Sequence, residues 1–172
     1  RYGEGDVQWL TAGAGIQHAE MFPLLRQDAD NPVELFQIWL NLPSKDKFAK
    51  PHFSMFWNHE VPTLVNEQPG VEMTLVAGRL GEVTPPKPPP ESWASSPESD
   101  VAIWTLKLAA DARLTLPAAS EGTLRSLYFF EGQSLGISGQ SIGVGNRIDV
   151  EGSATLEVVN GAVPAQILVL QG

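Results

Sequence analysis

The chain has no cysteine among its 172 residues and only three histidines. The first absence removes a disulfide framework, a thiolate metal site and a cysteine nucleophile together, so any metal must be held through nitrogen and oxygen. Basic residues are also scarce, 11 Lys and Arg against 20 Asp and Glu, a net charge of -9 that repels a phosphate backbone unless cations are segregated on one face. No such face is visible. Lys45, Lys47 and Lys50 are the densest basic run, broken by Asp46, and a solvated loop accounts for them. Direct nucleic-acid binding is therefore not expected. No apolar run approaches the ~20 residues of a membrane-spanning helix. The opening residues, RYGEG, lack the basic and apolar regions of a secretory signal. Cytoplasmic residence is the default expectation.

What the chain does contain is turn chemistry. Sixteen glycines and fourteen prolines separate short apolar runs, the pattern of many short strands joined by turns. Alternation marks strands at Val7–Thr11, Val71–Ala77, Val101–Ala109, Arg113–Leu116, Leu124–Glu131, Ser134–Ile137, Arg147–Val150, Thr155–Val159 and Ala165–Leu170. The clearest period of two is Glu34–Leu42, with Phe36, Ile38, Leu40 and Leu42 on one face. No sustained 3.6-residue period occurs, although Lys45–Ala49 could form one helical turn. The class is all-β. Two connectors divide the strands: the polar and aromatic stretch Pro43–Pro62, and the proline-rich Thr84–Ser92, read as a stiff surface loop rather than a ligand for a proline-binding module. Gly143–Val159 looks like a worn copy of Gly3–Glu20 without the histidine, which suggests a duplicated barrel with one polar site.

The chemistry concentrates at His18 and Glu20. On extended backbone, residues i and i+2 point to one side with Cα atoms roughly 6.5 Å apart, so an imidazole and a carboxylate there can converge on one ion. A neutral imidazole with a carboxylate suits iron, copper, manganese, nickel or zinc. An ordinary hydrogen-bonded pair fits the same spacing, and two ligands hold an ion poorly. The remaining histidines, His52 and His59, lie in the connector, where loop or surface roles account for them. Gly13 and Gly15 can supply positive φ in a tight turn that aims the following residues into a barrel mouth.

The block GDVQWLTAGAGIQHAEM, Gly5 to Met21, and then ELFQIWLNLPSKDK, Glu34 to Lys47, closely resemble the pirin family of the cupin superfamily. Its members carry G-D-V-Q-W-M-T-A-G-x-G-I-x-H-S-E and then L-x-x-F-Q-L-W-x-N-L-P-x-x-x-K. The likeness is dense over residues 5–47, weaker over 70–81, and faint beyond, where the strand rhythm and the terminal LVLQG remain.

The resemblance implies a bicupin, two stacked β-barrels or jelly rolls. Residues 1–43 would be the C-terminal part of the metal-binding N-terminal barrel, 44–62 an inter-barrel connector, and 63–172 a second cupin barrel without metal ligands. The family's single metal is held by three histidines and a glutamate, and His18 and Glu20 match the third histidine and the glutamate. The other two belong to an upstream H-x-H that this chain does not contain. We therefore expect both ends to be truncated, the first barrel to be incomplete, the metal to be absent from the fragment where the upstream ligands are missing, and the fragment alone to be inactive. Iron is the first expectation for the metal, with copper, manganese, nickel or zinc as alternatives.

For function, the resemblance implies a quercetin 2,3-dioxygenase type of reaction, in which a flavonol is cleaved by dioxygen. Glu20 would be the general base for the 3-hydroxyl, His18 would fix the metal, and Trp9, Phe36 and Ile38 would line an apolar pocket for a flat aromatic substrate or simply pack in the core. The alternatives are a redox-sensing transcriptional co-regulator acting through protein partners, and a metal-free binding module. The second barrel offers no histidine and no catalytic candidate. Its acidic residues, Glu121, Glu131, Asp149, Glu151 and Glu157, read as solvated, and a structural or interaction role is assigned to it.

Overall fold

A computed structural model describes residues 3–172. Twelve strands follow in chain order: β1 Val7–Thr11, β2 His52–Phe56, β3 Thr63–Val65, β4 Val71–Ala77, β5 Ala102–Leu108, β6 Arg113–Leu116, β7 Leu124–Glu131, β8 Ser134–Ile137, β9 Gln140–Gly143, β10 Asn146–Glu151, β11 Leu156–Asn160 and β12 Ala165–Gln171. The only helical pieces among the described residues are three-residue 3-10 turns, at Ser44–Asp46, Asn58–Glu60, Trp93–Ser95 and Pro97–Ser99. None is long and apolar enough to cross a membrane. Five strands, β1, β4, β6, β7 and β8, coincide with the stretches that alternation marks, and β5, β10, β11 and β12 match theirs to within one residue at each end.

From β3 onward the strands build two sheets. One has six strands in the order β10-β7-β12-β5-β4-β3, the other four in the order β6-β11-β8-β9, and the pairings are antiparallel. Strict alternation fills the space between them. Val71, Met73 and Leu75 of β4 are buried while their neighbours are not, and Leu114, Leu116, Leu127, Phe129, Val158, Ile167 and Val169 belong to the same cluster. Each fully buried aliphatic side chain contributes roughly 1.5–3 kcal/mol, so this interior dominates the stability of the fold. Such a closed pair of sheets manages its edges as a jelly roll does.

The outer face of the six-stranded sheet is covered too. Ala77, Val101, Ile103 and Leu168 form a second buried cluster, and Trp9, Leu40, Trp93, Tyr128 and Phe130 pack against it. The proline-rich loop lies along this barrel with Pro85 and Pro89 buried, so it is a packed strap rather than a free tether.

β1 and β2 form a separate two-stranded sheet, with Val7 opposite Phe56 and Thr11 opposite His52. The Pro43–Pro62 stretch thus contributes a strand, which its mixed aromatic and polar composition did not advertise. The residues between β1 and β2 make no ladder. This overturns the strand expected at Glu34–Leu42: its alternation is real, but no strand lies beside it among the described residues to accept a ladder. Phe36 and Ile38 on one side and Leu35 and Trp39 on the other remain exposed. β3 and β9, three and four residues long, were missed because so short a run has no readable period.

Candidate functional site

The approach to His18 is set by a turn. Gly13 has φ +47° and Gly15 φ +124°, the positive values their sequence context predicts. A side chain at Gly13 is opposed for a second reason: a Cβ there would lie 2.0 Å from the Ala49 carbonyl oxygen. That oxygen accepts the Ala14 N–H at 3.0 Å, and the Gly15 N–H donates to Ala12 O at 2.8 Å. The turn after β1 is thereby pinned to the chain just before β2.

Beyond it the backbone is neither helical nor part of a ladder, and His18 and Glu20 come to the same side. His18 Nδ1 lies 3.8 Å from Glu20 Oε1, with the two side chains 42% and 31% exposed. The i, i+2 logic therefore holds for orientation. Enclosure is a different matter, since at that exposure the pair borders solvent.

Imidazole nitrogen and carboxylate oxygen side by side are donors that a borderline divalent ion accepts, so the pair fits part of a metal site. Among the described residues, no third His, Cys, Asp or Glu joins it in a group able to hold an ion. His52 sits on β2 opposite Thr11, and His59 lies exposed in the 3-10 turn Asn58–Glu60. That turn is fastened to the start of β1, because Asp6 Oδ1 accepts the Asn58 N–H at 2.9 Å and Glu4 O accepts from Asn58 Nδ2 at 3.1 Å.

The three aromatic-pocket candidates occupy different surroundings. Trp9 on β1 stacks at a tilt on Phe56, with ring centroids 6.2 Å apart, and packs on the outer face of the six-stranded sheet. Phe36 meets Phe130 edge-on at 4.9 Å. Ile38 is 36% exposed. Trp9 and Phe36 thus tie the segment bearing the His–Glu pair to the barrel formed by β3–β12.

Sequence reading missed the one buried charge of that barrel. Arg125 on β7 is 1% exposed and stands opposite Gln171 of β12. Its Nε and Nη2 donate to Gln171 Oε1 at 2.9 and 2.6 Å, and Nη2 also donates to Pro117 O at 2.9 Å. Burial lowers the guanidinium pKa and nearby Asp100 opposes the shift. The signal was present in the sequence: Arg125 shares a face with Leu127 and Phe129 of the same strand.

Two facing antiparallel sheets, short 3-10 turns in place of helices and one imidazole–carboxylate pair define a cupin-class protein. In agreement, a quercetin 2,3-dioxygenase from Acinetobacter baumannii superposes with a TM-score of 0.71 at 18% identity, covering 99% of this chain and 56% of that one. The pirin family profile matches residues 1–40, the stretch that carries β1, the glycine turn and the pair. A Pseudomonas aeruginosa protein provisionally named quercetin 2,3-dioxygenase is 31% identical over 173 residues, covering 98% of this chain and 56% of its own length. Human pirin is 35% identical over 74 residues, 43% of this chain and 23% of its own length. The chain belongs to the pirin family of the cupin superfamily. It spans about half the length of the Pseudomonas relative.

Proposed function

We propose that this chain is part of a pirin-like, metal-dependent dioxygenase acting on flavonols. The observation that carries the reading is the convergence of His18 and Glu20, 3.8 Å apart, just past the turn at Gly13. Residues 1–43 supply the end of the metal-binding barrel, 44–62 the connector, and 63–172 the second barrel. Family members named for flavonol cleavage support the substrate class.

His18 and Glu20 would hold a divalent transition metal, iron first, together with donors from outside this chain. The metal would supply a Lewis-acid centre at which flavonol and dioxygen meet. Glu20 takes the 3-hydroxyl proton of the flavonol onto a carboxylate oxygen, which makes the substrate electron-rich enough to react with dioxygen. His18 fixes that carboxylate's neighbourhood through its ring. Trp9, Phe36 and Ile38 offer apolar surface to a flat aromatic substrate.

The test is aerobic loss of flavonol absorbance with the full-length protein and added metal. Glu20→Gln should slow it by about 10²–10⁴-fold, the usual contribution of a general base. Full activity in His18→Ala would end this reading.

A second reading, a redox-sensing co-regulator acting through protein partners, is favoured by the exposed apolar side chains Met21, Leu24, Leu25, Val33 and Trp39 on the unladdered segment. The acidic surface suits a basic protein partner. Capture of a partner that depends on the metal's oxidation state distinguishes it. A third, a metal-free binding module, predicts an empty site on metal analysis of the full-length protein.

A further inference from the structure

Alternation along β7 places Arg125 on the face that fills the gap between the sheets, where a guanidinium has five N–H donors to satisfy. Gln171 and Pro117 satisfy the Nε and Nη2 side. Nη1 is buried and meets no acceptor among the described residues. Arg125 forms no ion pair among them either. A buried charged donor without a partner is costly, and it marks a place where an acceptor from outside the chain belongs.

Arg125 also lines a cavity of about 420 Å³. The Trp104 ring is beside the guanidinium, 6.0 Å from its Cζ, and Trp104 Nε1 is spent on Gly78 O at 3.2 Å. Leu80 and Pro117 add apolar wall, and Arg79 and Asp100 add charge. The volume is that of a small-molecule site.

We propose that this cavity binds a small organic monocarboxylate, with its carboxylate on Nη1 of Arg125 and its hydrocarbon part against Trp104, Leu80 and Pro117. The chemistry of the lining selects the class. Only one nitrogen of the guanidinium is free, because Gln171 occupies the Nε–Nη2 edge, so the anion is held at a single nitrogen and the apolar wall must supply the rest of the binding. Asp100 lines the same space, with Oδ2 fixed by the Ser120 N–H at 2.8 Å, and its charge opposes a second negative charge on the ligand. Exposed Arg79 draws an anion toward a protein whose net charge of -9 otherwise repels it. Neither His18 nor Glu20 lines the cavity, so the proposal is independent of the oxygenase reading.

Benzoate, with inorganic phosphate as the comparison, can be titrated into the protein while NMR follows the Trp104 indole N–H and the Arg125 Nε–H. Saturable shifts with benzoate, weaker with phosphate, are expected. Arg125→Met should weaken benzoate binding by at least about tenfold, the scale of one charge-assisted hydrogen bond. Arg79→Gln, at an exposed position, should weaken it in a salt-dependent way and decides the matter where Arg125→Met does not fold. The proposal falls if neither probe saturates, if phosphate binds tighter than benzoate, or if the variant that folds binds benzoate unchanged. A crystal structure in saturating benzoate that shows only water on Nη1 overturns it as well.

Discussion

Arg125 and Gln171 face each other across β7 and β12, and the single oxygen Oε1 of Gln171 accepts from both Nε and Nη2 of the guanidinium, at 2.9 and 2.6 Å. The Gln171 amide nitrogen in turn donates to Asp100 O at 2.9 Å. A charged side chain is thereby held inside a β-sandwich by one amide that also ties down the loop before β5.

Replacing Gln171 with Leu strips two hydrogen bonds from a buried cation and leaves it in place. The expected loss is about 2–4 kcal/mol. Denaturant unfolding should show a lower midpoint at unchanged slope. The double variant Arg125→Leu/Gln171→Leu should be more stable than Gln171→Leu alone, because the stranded buried cation is gone.

Gly13→Ala forces a side chain onto the Ala49 carbonyl, 2.0 Å away, at a positive φ. A loss of about 1–3 kcal/mol follows from the strained backbone, with the contact adding to it. Gly15→Ala, with open space at its Cβ, should cost less. Thermal unfolding of the two variants side by side checks the order.

Within β7, burial predicts opposite outcomes for two leucines. Leu127 is 0% exposed and Leu124 72%. Leu127→Ala should cost about 2–5 kcal/mol, whereas Leu124→Ala should stay within about 0.5 kcal/mol.

Asp149 titrates below its ordinary value of 3.8, first because the Ser126 hydroxyl donates to it and then because Arg147 does. The distances are 2.5 and 2.7 Å. A depressed carboxyl stabilises the fold above its unfolded value, and that contribution disappears as the pH falls below 3.8 through the folded value. Carboxyl NMR titration should find the Asp149 midpoint raised toward 3.8 in Ser126→Ala and in Arg147→Gln alike.

Alternation made the barrel legible. Where both sheet neighbours exist, as for β4 and β7, a period of two in the sequence became a strand over the same residues, because burying one face leaves only one register. The same period at Glu34–Leu42 produced no strand. Side-chain pattern chooses faces, whereas a ladder needs a second backbone, and none lies alongside among the described residues. The His18–Glu20 pair was legible for a related reason, since i, i+2 geometry is local.

The amino-acid sequence alone determined the all-β class, the positive-φ turn at Gly13 and the approach of His18 to Glu20. These depend on φ/ψ limits and on neighbours two residues apart. Only the tertiary structure decided that β2 pairs with β1 across forty intervening residues, that Trp9 and Phe36 rest on the barrel formed by β3–β12, and that Arg125 is buried with one nitrogen unmatched. Those outcomes depend on which surfaces meet in space, and contacts between residues far apart in the chain leave no periodic trace along it.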